Sequence, residues 1–364
     1  MTLIANTSNY NCDILIGDIL MTSETRGQEV GIPTFLGGVD AQLPPEQNFY
    51  PYSLRQKIYV IEDQLAVGFA GYESEIKPIL EDLRTYFRYK QVTFDNLKAF
   101  LNDWDLTQFS NSAAYILIAE KNERATIIQH CMIGAWSKGA SKTYEEVTAC
   151  GTGTADFIKA AAQSIIASGE GNTNHLHETI ALNYILLIKI LGNERLSLDT
   201  IKNYWGAGFE MIYYDENSFK KVDDITFLFW NGTLDLETGA FEVQPFLILN
   251  YKYYEDLLVI NASNGYTFAS QGVLPFYLTK DDIDKSKLPE TLFSNAPKVC
   301  SAYFIELSNG KTSTPAFFTE RDESLFQVQV DIDEEKHLRI MISTALQEQL
   351  MAILNRLIAQ NKIN

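Results

Sequence analysis

Cysteine is scarce in this chain of 364 residues: only Cys12, Cys131, Cys150 and Cys300 are present. None stands in a C-x-x-C pair or at metal-ligand spacing, so neither a disulfide framework nor a cysteine-built metal site is expected. Single thiols in apolar company fit buried groups in a reducing compartment, which points to the cytoplasm. The chain does not open on a basic stretch followed by an apolar one, so no secretory signal is expected. Long apolar runs are missing too. The longest, Ile180 to Leu191, is broken by Asn183 and Lys189 and falls short of the ~20 residues a membrane-spanning helix needs. Positive charge is outweighed: 29 Lys and Arg face 47 Asp and Glu, for a net charge of −18 and a pI of about 4.7. Such a surface repels phosphate, so nucleic acid and anionic membranes are not expected as partners.

Several catalytic signatures are also lacking. No Gly-x-x-x-x-Gly-Lys-Ser/Thr loop occurs, so no nucleotide site of that kind is expected. No Gly-x-Ser-x-Gly elbow supports a Ser/His/Asp triad built on His130 or His337. The run His175-Leu176-His177-Glu178 has its histidines two apart rather than four and precedes a buried helix, so a capping or surface role is expected. There is no internal repeat and no low-complexity tract.

What is present is an ordinary globular composition, 46% hydrophobic and 21% charged, able to bury a substantial core. The length suggests two domains, or one large domain with extensions. Thr2 to Ser8 and Asp13 to Met21 read as strands joined by turn residues Asn9-Tyr10-Asn11. A hairpin between them would bring Thr2 and Asp18 together. Thr22 to Tyr52 reads as a long loop. Lys57 to Ile61 and Leu65 to Ala70 form the next strand pair, ended by Gly71. A helix follows, with Ser74 as its cap, Pro78 in its first turn, and Ile79, Leu80, Leu83 and Phe87 on one stripe. Phe94 to Trp104 reads as a short helix, and Ala113 to Glu120 with Arg124 to His130 as a hairpin. Val147 to Cys150 is a strand running into Gly151-Thr152-Gly153, followed by a helix over Thr154 to Ser168. Glu178 to Leu191 is apolar nearly all round and predicts a buried helix. Gly208 to Tyr214 and Asp224 to Trp230 read as strands. Beyond Asn231-Gly232 the chain is strand-rich and aromatic to about Ser343. It closes on an amphipathic helix, Thr344 to Ile358, expected to dock on its own domain rather than on a partner subunit.

Thr2 follows the start Met, and removal of Met before a small residue is routine. It would leave an α-amine and a hydroxyl on one residue, a nucleophile with its own base. Thr2, Gly17-Asp18, Lys57-Ile58, Gly68-Phe69-Ala70-Gly71 and Gly151-Thr152-Gly153, in that order, resemble the proteasome β-subunit branch of the N-terminal nucleophile (Ntn) hydrolases, over about residues 2–232. The resemblance implies an α+β fold, a four-layer αββα sandwich spanning 1–232. A C-terminal extension of uncertain fold, 233–364, would follow, strand-rich and ending in the amphipathic helix.

It also implies roles. Thr2 would be nucleophile and, through its amine, base. Lys57 would tune the hydroxyl, Asp18 would orient Lys57, Gly71 would donate its N–H to the oxyanion, and Thr152 would stand where the family has Ser. The implied activity is a threonine-type peptidase or amidohydrolase, with no metal and no organic cofactor. Peptides or unfolded proteins would be its substrates, self-assembly into a homo-oligomer is expected, and an ATP-dependent unfoldase could be its regulator. The alternative is a catalytically inactive scaffold or binding subunit of the same fold. Two departures mark the chain. The stretch Lys202 to Gly208 carries neither the Asp nor the Ser that the family places near the N-terminal amine, and the segment between Asp18 and Lys57 is longer than usual.

Overall fold

A computed structural model describes residues 2–121, 126–163, 174–254, 256–264, 268–274, 298–320, 330–332, 338–340 and 344–362. The elements in chain order begin with β1 (Leu3–Asn9), β2 (Cys12–Asp18), β3 (Leu20–Ser23), β4 (Tyr50–Leu54), β5 (Ile58–Glu62), β6 (Leu65–Ala70), α1 (Glu73–Tyr89) and α2 (Phe94–Asp103). Then come β7 (Ala113–Lys121), β8 (Thr126–Ile133), β9 (Ser137–Gly139), β10 (Glu146–Gly151), α3 (Thr154–Gln163), α4 (His175–Ser197), α5 (Asp199–Lys202), β11 (Phe209–Tyr214) and β12 (Phe219–Lys221). The remainder holds β13 (Ile225–Leu234), β14 (Phe241–Tyr254), β15 (Leu257–Ser263), β16 (Phe268–Leu274), β17 (Lys298–Leu307), β18 (Thr312–Ser313), β19 (Ala316–Glu320), β20 (Val330–Ile332), β21 (Leu338–Ile340) and α6 (Thr344–Lys362). The fold is mixed α/β with several sheets.

The first hairpin forms as its sequence suggests. Tyr10 and Asn11 both take positive φ, 51° and 58°, the backbone that a tight two-residue hairpin turn demands. Asn9 then faces Cys12, and the register carries Ile4 opposite Gly17. These strands lie in a six-stranded sheet ordered β12-β11-β2-β1-β10-β9, while β5-β6-β7-β8 make a second sheet of four. Strand side chains alternate faces. Ile4, Leu15 and Ile212 from the first sheet meet Ile58, Ala66, Ala113, Tyr115 and Leu117 from the second in one buried cluster. The opposite face of the four-stranded sheet, with Leu65, Val67, Phe69 and Ile116, packs on Ile76, Ile79, Leu80 and Leu83 of α1 and on Leu97 and Phe100 of α2. The opposite face of the six-stranded sheet, with Leu3, Ala5, Ile14, Ile16 and Ala149, packs on α3 and α4.

Helix α4 explains its own composition. One flank lies against β1 and β2, the other against β17 and β19. A helix with sheets on both sides has no solvent face to make polar. Its buried polar residue Asn183 is satisfied: Thr7 donates to its Oδ1 at 2.9 Å, and its own amide donates to the Thr179 carbonyl at 2.8 Å. The third sheet, β16-β15-β14-β13-β17-β18 with β19 on β17, thus shares a core with α4, through Phe227, Leu249, Ile260 and Cys300. Strand β13 passes through residue 232 without a break. On the far face of this sheet α6 buries Leu350 and Leu354 against Leu228, Trp230, Ile248 and Tyr303. The closing helix therefore docks on its own chain; the side chain of Leu346 and the residue His337 lie outside the described residues.

Some details differ from the sequence reading. The long segment before Lys57 is not wholly a loop: β3 pairs with β4, and two short 3-10 turns, Pro33–Phe35 and Asp40–Gln42, lie between them. Ile32, Thr34 and Val39 are buried there, so apolar anchors tie the segment down. Helix α1 starts at Glu73, and Ser74 lies inside it rather than capping it. Pro78 is the sixth helical residue, so it stands in the second turn, where its missing N–H removes one intrahelical bond. Strand β2 ends at Asp18, with Ile19 turned to accept pairing from Arg55 and to donate to Gly208.

Candidate active site

The site grows from three strand ends. Thr2 immediately precedes β1, Asp18 closes β2, and Lys57 immediately precedes β5. All three are withdrawn from solvent: Thr2 is 3%, Asp18 0% and Lys57 2% exposed. The Thr2 hydroxyl donates to Asp18 Oδ1 at 2.5 Å. Lys57 Nζ donates to the same Oδ1 at 2.6 Å, to the Leu20 carbonyl at 2.5 Å, and to Thr2 Oγ1. Asp18 is further held by the Leu3 N–H on Oδ1 at 2.8 Å and the Gly206 N–H on Oδ2 at 2.9 Å. A buried ion pair survives only when its remaining donors and acceptors are met in this way. Burial pushes the Lys57 ammonium below its ordinary value, while the Asp18 and, more weakly, the Glu210 carboxylates pull it back up. A lysine so placed is easier to deprotonate than one on the surface.

One of the two glycine turns, at Gly151, borders this cluster. Gly151, at the end of β10, has φ 102°, and a Cβ there would stand 1.9 Å from the Thr2 carbonyl oxygen. Only glycine lets β10 lie so close to the start of β1. Thr152, next along, has its hydroxyl 3.4 Å from the Thr2 carbonyl and 3.2 Å from that of Tyr204. Its contact is thus with the Thr2 backbone. Gly71, after β6, has φ 123°, and a Cβ would fall 2.4 Å from Ser112 Oγ. Ser112 accepts the Tyr72 N–H at 3.0 Å and so fixes the turn. Gly71 follows β6, whose Phe69 N–H donates to the Lys57 carbonyl at 3.2 Å.

Two supporting carboxylates carry no signal in the sequence. Glu194 of α4 is fully buried and accepts from Thr34 at 2.5 Å, Thr200 at 2.6 Å and the Ala207 N–H at 2.9 Å. Burial raises its carboxyl to about 7 despite these donors, with the Asp18 charge adding to the rise. Its neighbour loop is strained at Tyr204 and Ala207, non-glycine residues with φ of 67° and 63°. Strain of this kind persists where the surroundings over-determine it. Here successive N–H groups of Gly206 and Ala207 are directed to Asp18 and Glu194. Glu210 of β11 is the second buried carboxylate, bonded to the backbone of Lys57 and Ile58. Glu210 lies between Phe209 and Met211, and Glu194 between Asn193 and Arg195, and neither belongs to a motif.

Elsewhere, His175, Glu178 and His130 each contact a tyrosine. The His175 ring stacks on Tyr10 at 4.5 Å, and Glu178 accepts from the Tyr10 hydroxyl. Among the described residues no group of three or more His, Cys, Asp or Glu side chains is placed to hold a metal. His130 bonds the Tyr115 hydroxyl at 2.6 Å and faces Asp13 at 3.4 Å, with no serine in the arrangement. All four cysteines are free. Among the described residues no helix is long and apolar enough to cross a membrane.

No protein-family model and no curated protein sequence matches the chain. Among solved structures it is similar to eukaryotic HslV from Trypanosoma brucei, at 13% identity and a TM-score of 0.31, over 57% of this chain and 97% of that one.

Proposed function

We propose that the chain is an N-terminal-threonine hydrolase of peptide or other amide bonds, made active by removal of Met1. The observation that carries this reading is the convergence of Thr2 Oγ1, Lys57 Nζ and Asp18 Oδ1 on one another in a buried site. A threonine hydroxyl is too weakly acidic to attack an amide unaided. A free α-amine titrates near ~7.7–8 and can take the hydroxyl proton at neutral pH. The alkoxide then adds to the carbonyl carbon beside the Lys57 ammonium, and the Gly71 N–H faces the tetrahedral oxyanion. Collapse breaks the C–N bond, and the protonated amine passes its proton to the leaving nitrogen. Water attacks the ester left on Thr2, gives a proton to the amine, and frees the acid as Oγ1 regains its hydrogen. Neither a metal nor an organic cofactor enters these steps.

The sequence of clusters, helices on the four-stranded sheet, that sheet on the six-stranded sheet, and α3 and α4 beyond, supports a four-layer αββα sandwich for residues 1–232. In this reading residues 233–364 form a second unit by role, not by core. Self-assembly, unfolded-protein substrates and an unfoldase regulator remain part of the same proposal.

A second reading is an inactive scaffold. It is favoured by the stretch Lys202–Gly208, which offers neither Asp nor Ser beside the N-terminus. Two measurements separate them. Intact-mass analysis is expected to show a chain starting at Thr2, and a fluorogenic peptide panel is expected to be turned over by wild type and not by Thr2→Ala. Retained Met1 in the purified working protein, or equal turnover by both, removes Thr2 from the chemistry.

A further inference from the structure

Lys57 is fixed from behind by a carboxylate that also reaches the C-terminal sheet. Strand β5 is the edge of its sheet, and an edge leaves N–H groups without ladder partners. Glu210, its side chain wholly buried, meets that need. Its Oε1 accepts the N–H of Lys57 at 2.6 Å and of Ile58 at 3.0 Å. Its Oε2 accepts Lys221 Nζ at 2.7 Å and the Tyr253 hydroxyl at 3.1 Å. Four donors saturate an ionised carboxylate. Gly17 makes room for this. It faces Glu210 across the ladder, and a Cβ there would meet Ile58 Cγ2 at 2.9 Å.

Tyr253 belongs to β14, well beyond residue 232, and is itself pinned by its N–H on Asp223 at 2.6 Å. A second tie runs beside it. Gln56, the residue before Lys57, donates to the Asp256 carbonyl at 2.7 Å and accepts from Lys221. Residues 56–58 are therefore held by two contacts from the C-terminal sheet, one direct and one through Glu210.

We propose that Glu210 is the positioning residue for Lys57 and that the C-terminal sheet, through Tyr253, takes part in setting it. The inference rests on the reading of Lys57 as catalytic. On this view the C-terminal third holds the backbone from which the ammonium reaches Thr2. A displacement of about 1 Å at a catalytic group can cost ~10²-fold in rate, so a scaffold that fixes two consecutive N–H groups matters to the chemistry. The charges facing Lys57 are Asp18 from β2 and, more distantly, Glu210 from β11, whose charge is shared with Lys221 of β12. Glu194 of α4 lies beyond Asp18. Removing the Glu210 charge leaves burial less opposed.

The test uses the full chain, and its deciding readouts are independent of turnover. Lysine-labelled protein is titrated by NMR, and amide exchange is followed at residues 57 and 58. Glu210→Gln is expected to lower the Lys57 titration. Tyr253→Phe is expected to speed exchange at the Lys57 and Ile58 amides by about tenfold relative to β7 amides, and to lower kcat with KM unchanged. Tyr254→Phe, one residue along on the other face of β14, is expected to change neither. If Glu210→Gln does not fold, the Tyr253→Phe exchange data decide alone. An unmoved Lys57 titration, or exchange at 57 and 58 rising no more than elsewhere, overturns the proposal. If Thr2→Ala proves as active as wild type while these shifts appear, the hydrolase reading fails and the positioning of Lys57 stands.

Discussion

At the scale of single residues, the buried pair Lys57–Asp18 is costly to break on one side. Lys57→Met removes the ammonium and leaves the Asp18 charge with only its two backbone donors and the Thr2 hydroxyl. A stability loss of about 3 kcal/mol is expected, because an uncompensated buried charge remains. The double variant Lys57→Met/Asp18→Asn is expected to regain most of that loss in urea unfolding while staying inactive. Recovery of activity in the double variant would separate the pair from the chemistry. Glu194 gives a second expectation. Its carboxyl is raised to about 7, so the folded protein holds that proton more tightly than the unfolded chain does. Its contribution is full below the unfolded value near 4.5 and is lost as pH rises through about 7, on the order of 3 kcal/mol in all. Glu194→Gln, which stays neutral, is expected to flatten the stability profile between pH 4.5 and 7. An unchanged slope in thermal unfolding across that range would locate the proton elsewhere.

At the scale of elements, the two glycine turns hold the strand ends in register. Gly151→Ala meets both a positive φ and the Thr2 carbonyl at 1.9 Å, and backbone cannot yield as a flexible side chain can. A destabilisation of about 2–3 kcal/mol is expected, read as a lowered melting temperature, with loss of turnover because Thr2 is displaced. Gly71→Ala meets a positive φ and the Ser112 Cα at 2.5 Å in the same way and is expected to destabilise likewise. If Gly151→Ala melts like wild type, β10 does not bear on the start of β1. The segment between Asp18 and Lys57 also acts as an element. It supplies the Leu20 carbonyl to Lys57 and Thr34 to Glu194. A stretch rich in turn residues reads as loop because its few apolar anchors, Ile32 and Val39, are too sparse to show periodicity.

At the scale of the whole molecule, α4 lies between two sheets, and its flank toward β17 and β19 depends on the C-terminal third. Truncation after Gly232 would expose that flank and cut the β13 strand from its neighbours β14 and β17. The truncated chain is expected to be aggregated or to bind hydrophobic dyes, with loss of a sharp thermal transition in circular dichroism. A soluble fragment with a cooperative melt would show instead that residues 1–232 bury enough core by themselves.

Local chemistry in the sequence determined much of this protein. Asn-Tyr-Asn set the first hairpin, and with it the approach of Thr2 to Asp18. Apolar alternation set most strands, and an apolar helix declared itself buried. The set Thr2, Asp18, Lys57, Gly71 and Thr152 is singled out by a family resemblance; of the turns around it, only Gly71 and Gly151 carry a backbone mark, their positive φ. Glu194 and Glu210 left none. A lone carboxylate gains meaning only from the donors that folding brings to it, and those come from positions as far apart as Thr34, Lys57, Ala207 and Tyr253. Long-range pairing of buried polar groups is decided by tertiary packing, since desolvation penalises each such group until its distant partner arrives.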